Sequence, residues 1–385
     1  MENENLTVEK NVAQENSTFQ ERLFFLDNIR WITILLVVVF HIFFYYNNIG
    51  TMAMFQRLPD YEAGKVSFAG IFQYSVYQWF MVLLFAVSGI CANISLKKKS
   101  VKEFLKSRAC KLLVPSTLGI LCVQWVCGWL ISFNYMNAPE SQNIPGFVKY
   151  IIYVASGTGA LWFCQVLFFA CLMLAILKCI DKNDRITHLS EKSEWLNIVV
   201  LAALFFVMWG SAQILNVPKI TTYRMLYYPM AFFIGYYWLS SKSVLDVLKK
   251  LWWLFLAAGI VSGVFYVKKN YGTYYAEYSV LNNWLSVFHA WFTTLGILGV
   301  SQTVLNFHNK FSDYMTKISF GIFVLHIFVL LLVNTLLKPV AQNLPIAVIY
   351  IIELVAALAG SVLLWELLSR IPVVRFVLFG IKKSK

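Results

Sequence analysis

The sequence predicts an all-α integral membrane protein, a polytopic bundle of about ten transmembrane helices with both termini in the cytoplasm. Three observations carry this. Hydrophobic residues make up 59% of the 385 positions and charged residues only 13%, against about 25% charged in soluble domains, and the mean hydropathy is +0.66. The apolar residues fall into runs of about 20, the length that carries a helix across the hydrocarbon core, without the alternation of an outer-membrane barrel strand. The cationic residues are asymmetrically placed. With the N-terminus inside, 24 of the 32 Lys and Arg fall in inner segments and 8 in outer ones, the bias that orients membrane helices.

Ten spans follow in order: 24–46, 71–92, 112–133, 157–180, 195–215, 223–240, 251–267, 284–306, 318–338 and 346–368. Residues 147–156 are also apolar and read as a short interfacial or re-entrant piece before the fourth span. Residues 1–20 are polar, lack an apolar segment with a small-residue cleavage site, and read as a short disordered cytoplasmic tail. Residues 21–370 form one membrane domain and 371–385 a basic cytoplasmic tail. The net charge of +13 follows membrane topology and gives no reason to invoke nucleic acid. Seven cysteines sit in or beside apolar runs without a CxxC pair, so they read as small apolar helix residues. No metal-ligand spacing such as HExxH occurs, and no outer loop is long enough to fold as a domain.

The first span, FFLDNIRWITILLVVVFHIFFYY, holds the sharpest chemical signal. Arg30 and His41 are eleven residues apart, about three helical turns, so they share a face about 16 Å apart along the axis. Asp27 lies one turn before Arg30. Ionisable groups at such depths line a cavity or a path more often than not. Arg30 also suits the role of a positive-inside anchor, and His41 that of a histidine bonded to a neighbouring helix. The basic stretch KKKSVKEFLKSRACKLLVP carries Lys97, Lys98, Lys99, Lys102, Lys106, Arg108 and Lys111. Such cations serve topology and anionic lipid headgroups or the phosphates of a nucleotide-bearing substrate. Arg108 and Lys111, three apart on a helix, are the better phosphate ligands. His326, His289 and Glu353 are further ionisable groups within spans, open to polar-core packing or to function. Trp162, in GALWFCQVLF, reads as a packing aromatic.

These stretches together resemble the membrane-bound acyltransferase family 3, and within it the glucan-modifying succinyltransferase branch. FFLDNIRWITILLVVVFHIFF matches the family's R-x10-H signature at Arg30 and His41. FMVLLFAVSGICANISLKKKSVKEFLKSRACKLLVP is similar to its second span, ending in Ser88-Gly89, with the basic segment and a proline. ALWFCQVLFF is similar to its LWF motif, and ISFGIFVLHIFVL puts His326 at the position of its late histidine. The C-terminal WELLSRIPVVRFVLFGIKK is similar to the glucan-modifying branch.

The resemblance implies an O-acyltransferase of the bacterial plasma membrane. An acyl group would pass from a cytoplasmic acyl-CoA, acetyl-CoA or succinyl-CoA, to a hydroxyl of an extracytoplasmic glycan or glycolipid. No permanently bound cofactor or metal is expected. Arg108 and Lys111, with Arg30, would hold the CoA phosphates. His41 would be a general base or a transient acyl carrier, with His326 beside it in the catalytic set. Ser88, Trp162 or backbone N–H groups would face the thioester carbonyl. A succinyl group would want an outer cation, for which Arg224, Lys268 and Lys269 are candidates. The rival reading is a transporter or flippase of a small anionic or glycan-related substrate. It needs no acyl-CoA, and the sequence lacks the internal repeat that many transporters carry.

Overall fold

The computed structural model describes residues 23–46, 66–181, 194–217, 220 and 222–382; the tail expected at 1–20 lies outside them. The described chain is helical apart from short connections and one isolated bridge, Asn216 with Arg224. Nine of its helices are long and apolar enough to cross a membrane. Four of these are α1 (Phe24–Tyr46), α2 (Phe68–Leu96), α3 (Val101–Phe133) and α5 (Trp162–Ile180), the last preceded by the short α4 (Gly146–Ser156). The remaining elements are α6 (Glu194–Ala212), α7 (Tyr227–Tyr237), α8 (Lys242–Asn270), α9 (Trp284–Val304), α10 (Lys310–Leu337), α11 (Ile346–Leu368) and the short α12 (Pro372–Phe379).

The sixth expected span, 223–240, departs from the prediction. It is α7, only 11 residues and about 16 Å long by the rise per residue, half the hydrocarbon thickness. Ten of its residues are buried, so it is a core helix with little lipid to match. The chain nevertheless crosses there. At one end Trp209 and Gln213 of the α6 terminus donate to the Asn282 carbonyl at the start of α9. At the other, Gln302 near the end of α9 donates to Leu245 at the start of α8. Arg224 and Lys242 therefore lie at opposite faces. Asn28 of α1 donates to the carbonyls of Leu305 and Phe307, and Tyr314 of α10 donates to Glu366 of α11. Both ends of the described bundle thus lie on one face, the cytoplasmic one by the Lys and Arg count.

Lipid gives helices no hydrophobic reason to associate, so close packing and interhelical hydrogen bonds must do it. Two seams show how. A Cβ on Gly89 of α2 would lie 2.0 Å from the Phe232 carbonyl of α7, and one on Gly235 would lie 2.2 Å from that of Ala86. The two backbones therefore touch at reciprocal glycines. The second seam joins α8 to α9. Gly259 and Gly263 form a small-xxx-small face, a Cβ on Gly263 would meet the His289 ring at 2.7 Å, and His289 Nδ1 lies 2.8 Å from the Gly259 carbonyl. His289 Nε2 also lies 2.9 Å from the Ser75 carbonyl of α2. There α2 is broken, and the N–H of Trp79 bonds Val76 instead of Ser75.

The basic segment after α2 is mostly helix. Ser100 and Glu103 form a capping box, satisfying the first free N–H groups reciprocally. The helix then contains two π turns, Ala109–Leu113 and Ile120–Gln124, a form that concentrates at functional sites. Pro115 lies between them and offers no N–H. Ser116 and Thr117 hydroxyls donate back to Leu112 and Leu113 at 2.7 and 2.6 Å. α12 packs against this region: a Cβ on Gly380, at φ +63°, would lie 1.9 Å from the Cys110 carbonyl. The apolar piece expected at 147–156 is α4, which runs back along α3, with Tyr150 donating to Leu121 at 2.7 Å.

Candidate active site

His41 lies five residues before the end of α1, in the outer half of the bundle, on the uninterrupted apolar helix that the run ITILLVVVF dictates. Its Nδ1 is 2.8 Å from the carbonyl of Val37, one turn earlier. A carbonyl only accepts, so Nδ1 carries the proton and Nε2 a lone pair. Nε2 has no hydrogen-bond partner among the described residues. His326, from the middle of α10, brings its Nε2 to 3.4 Å from His41 Nδ1, with ring centroids 5.1 Å apart. The Nδ1 of His326 faces the carbonyls of Phe323 and Ile322 at 2.9 and 3.1 Å. That face too must be the protonated one, which leaves Nε2 as an acceptor toward His41.

The two rings differ in access. His326 is fully buried, at 0% exposure, whereas His41 is only partly covered. One histidine is reachable, and the other stands behind it against the nitrogen that does not face outward. Protonation of His41 Nε2 would leave a cation whose Nδ1–H is shared between the Val37 carbonyl and His326 Nε2. The pair can therefore take up and return a proton at one accessible atom.

Aromatic rings wall this site. Phe40, Phe44 and Tyr45 lie against His41 with centroids 5.5, 6.3 and 6.4 Å away. Phe40 continues to Tyr77 and Tyr275, which meet edge to face at 4.9 Å. On the other flank, the turn carrying His326 lines a narrow, closely packed recess with Phe323, Val324 and Ile327. Its opposite wall is Gln124 and residues 157–161. Gln124 sits in the second π turn and donates to the Val324 carbonyl at 2.8 Å.

At the inner end of α1, Arg30 is 47% exposed and pairs with Asp27 at 3.3 Å. Lys111 is exposed and lies within interaction range of the charges of Arg108, Arg30 and Lys99. Cys91 lies in the field of Arg30, Arg108 and Asp27. Arg108 also stands over the Phe104 ring at 5.1 Å. Two segments distant in sequence, the start of α1 and the basic stretch 99–111, thus converge in one cationic cluster whose members repel one another, with only Asp27 interposed among the groups named. Such a cluster favours a polyanion.

The other sequence candidates are less central. Ser88 is half-buried, one residue before the Gly89 seam, and bonds to neither histidine. Trp162 packs on Tyr228 and Tyr223 at 5.4 and 6.4 Å, directly after the recess wall at Gly159–Leu161. Glu353 is fully buried in α11 and within electrostatic range of Tyr45. His289 is a packing clasp. Lys268 and Lys269 are exposed, whereas Arg224 is 2% exposed. Gln124, Tyr77 and Tyr275 escaped the sequence reading. A polar residue within an apolar span would have flagged Gln124, but no spacing rule brings the tyrosines to His41.

A scan against family models finds one described as an acyltransferase domain, Acyl_transf_3, over residues 23–366. Neither the curated proteins nor the solved structures contain a match. The matched range holds both histidines and the cationic cluster and covers most of the chain. The protein therefore belongs to the acyltransferase family 3 and is a multi-pass membrane acyltransferase.

Proposed function

We propose that this protein is an O-acyltransferase that moves an acetyl or succinyl group from cytoplasmic acyl-CoA to a hydroxyl of an extracytoplasmic glycan or glycolipid. On this reading residues 21–370 are its catalytic membrane domain, its setting is a bacterial plasma membrane, and it is of the glucan-modifying succinyltransferase kind. The observation that carries the reading is the partly accessible His41 backed by buried His326, on the same helix that ends in the cationic cluster.

In this mechanism Arg108, Lys111 and Arg30 hold the CoA phosphates at the inner face through charge-assisted hydrogen bonds. The long, thin pantetheine arm passes between helices toward His41, about 16 Å along α1 from Arg30. His41 Nε2 takes the proton of the acceptor hydroxyl as its oxygen bonds to the thioester carbonyl carbon. Val37 and His326 spread the resulting positive charge. The carbon–sulfur bond then breaks, and the departing thiolate recovers the proton from His41. Ser88, Trp162 and backbone N–H groups are the candidate donors to the carbonyl oxygen. The tyrosine-rich wall near His41 suits a sugar, offering apolar ring faces with hydroxyl edges. A variant route has the acyl group rest on His41 Nε2 before it reaches the acceptor.

The test is loading and turnover of labelled acetyl-CoA and succinyl-CoA by protein in nanodiscs, with His41→Ala as control. His41-dependent consumption of one donor is expected. Label retained on the enzyme without acceptor would select the carrier route. A folded protein that consumes neither donor would overturn the proposal in favour of a transporter.

A further inference from the structure

A guanidinium buried at the outer face has no counter-charge among the described residues. Arg224 is 2% exposed. Its Nη2 donates to the Asn282 side-chain oxygen at 2.8 Å and reaches the Leu281 carbonyl at 3.5 Å, both neutral groups. Its charge lies 3.7 Å above the Tyr227 ring and 5.8 Å from that of Tyr228. Its Nε is buried with no partner, and among the described residues no carboxylate forms a salt bridge with it. Burying a charge is tolerated when it is paired, and ionisable groups kept within a membrane domain without a pair usually serve a ligand. α7 begins three residues later with no side-chain cap at Leu226, so its positive end adds to the same field.

The surroundings lead toward the histidine pair. Tyr223 donates to Gln165, and Tyr223 and Tyr228 both flank Trp162. Trp162 follows the wall of the recess that the His326 turn closes on its other side. Exposed Lys268 and Lys269 have water for a partner; Arg224 has not.

We propose that Arg224 is an anion-binding site for a carboxylate or phosphate of the molecule handled at the outer face. Its unfilled Nε–H is the donor, and the field of the α7 terminus reinforces it. Which molecule carries the anion rests on the acyl-transfer reading: the far end of a dicarboxylic acyl group, an acidic sugar or a phosphate on the acceptor. The existence of the site does not.

The experiment measures binding of succinate, glucuronate and inorganic phosphate to full-length protein in nanodiscs, with glucose as the neutral control. The proteins are wild type, Arg224→Gln, Arg224→Lys and Asn282→Asp. The last places a carboxylate on Nη2 and cancels the charge that would hold the anion. At least one anion should bind wild type, at least tenfold more weakly Arg224→Gln and Asn282→Asp, and with intermediate affinity Arg224→Lys. If Arg224→Gln does not fold, Asn282→Asp decides. No anion binding above glucose, or undiminished binding to folded Asn282→Asp, would overturn the proposal. The anion that binds names its source: succinate the donor, glucuronate or phosphate the acceptor. Anion binding without acyl-CoA turnover would leave the site standing and remove only the acyl-transfer reading.

Discussion

Two histidine sites in this bundle use the same side chain for opposite ends. His289 has both ring nitrogens within 2.9 Å of backbone carbonyls, from Gly259 and from Ser75. It is buried, stacked on Tyr266 at 6.1 Å, and held by the small face of α8. His41 has one nitrogen tied to Val37 and backed by His326, and a second nitrogen without a partner among the described residues on a ring that is partly exposed. The difference teaches that an intramembrane histidine is not reactive because it is ionisable and deep. On the proposed reading, it serves as a base when one nitrogen is oriented and the other is left open. Where both nitrogens are engaged, the ring is a clasp.

The comparison makes separable predictions. The largest effect belongs to His41→Ala, which should lower acyl turnover by about 100-fold or more, the usual contribution of a positioned base, with little change in melting temperature. Turnover by the purified variant in nanodiscs checks this, and near-normal turnover would break the assignment. His326→Ala should lower turnover by at least about tenfold, since it removes a group that orients and stabilises the base. His326→Gln, whose amide oxygen can accept from His41, should recover part of it. Steady-state kinetics should show the loss in kcat and leave KM for acyl-CoA near its starting value. His289→Ala should do the reverse, destabilising the fold by about 1–2 kcal/mol through a lost buried hydrogen bond and lost packing and sparing turnover per folded molecule. Thermal unfolding paired with single-concentration activity distinguishes the two sites.

Gly263→Ala sharpens the contrast further, because its Cβ would press on the His289 ring at 2.7 Å. A stability loss of about 1–3 kcal/mol is expected from overpacking, again with kcat preserved. The smallest effect should follow from Lys111→Ala, which removes one exposed cation from the inner cluster. KM for acyl-CoA should rise a few-fold, less so at high salt, because exposed charges are screened. A KM insensitive to both the mutation and salt would take the phosphate role away from this cluster.

Much of this was legible in the chain. The apolar runs located α11 to the residue and α1 from its first residue, Phe24, because a long apolar run and the signals that flank it, such as Pro345 before α11, are local. The eleven-residue spacing put Arg30 and His41 on one face because helical pitch is local. Hydropathy could not separate α7 from a lipid-facing span, as burial against protein and against lipid select the same residues. Nor could it show that the helix carrying Arg108 and Lys111 is interrupted by π turns. The candidate set named His326, but its contact with His41 spans 285 positions and obeys no periodicity. His289 was equally deep and equally polar on paper.

The sequence by itself determined what short-range physics controls: the all-α membrane class, the places of the long apolar helices, which face of α1 carries charge, and the family. Only the tertiary structure decided which nitrogen of which histidine is open, which cations meet at the inner face, and that Arg224 rather than Lys268 or Lys269 is buried. Those outcomes depend on contacts between helices far apart in the chain. In lipid such contacts are set by backbone approach at residues like Gly89, Gly235 and Gly259, and by single hydrogen bonds, neither of which leaves a periodic trace in the order of residues.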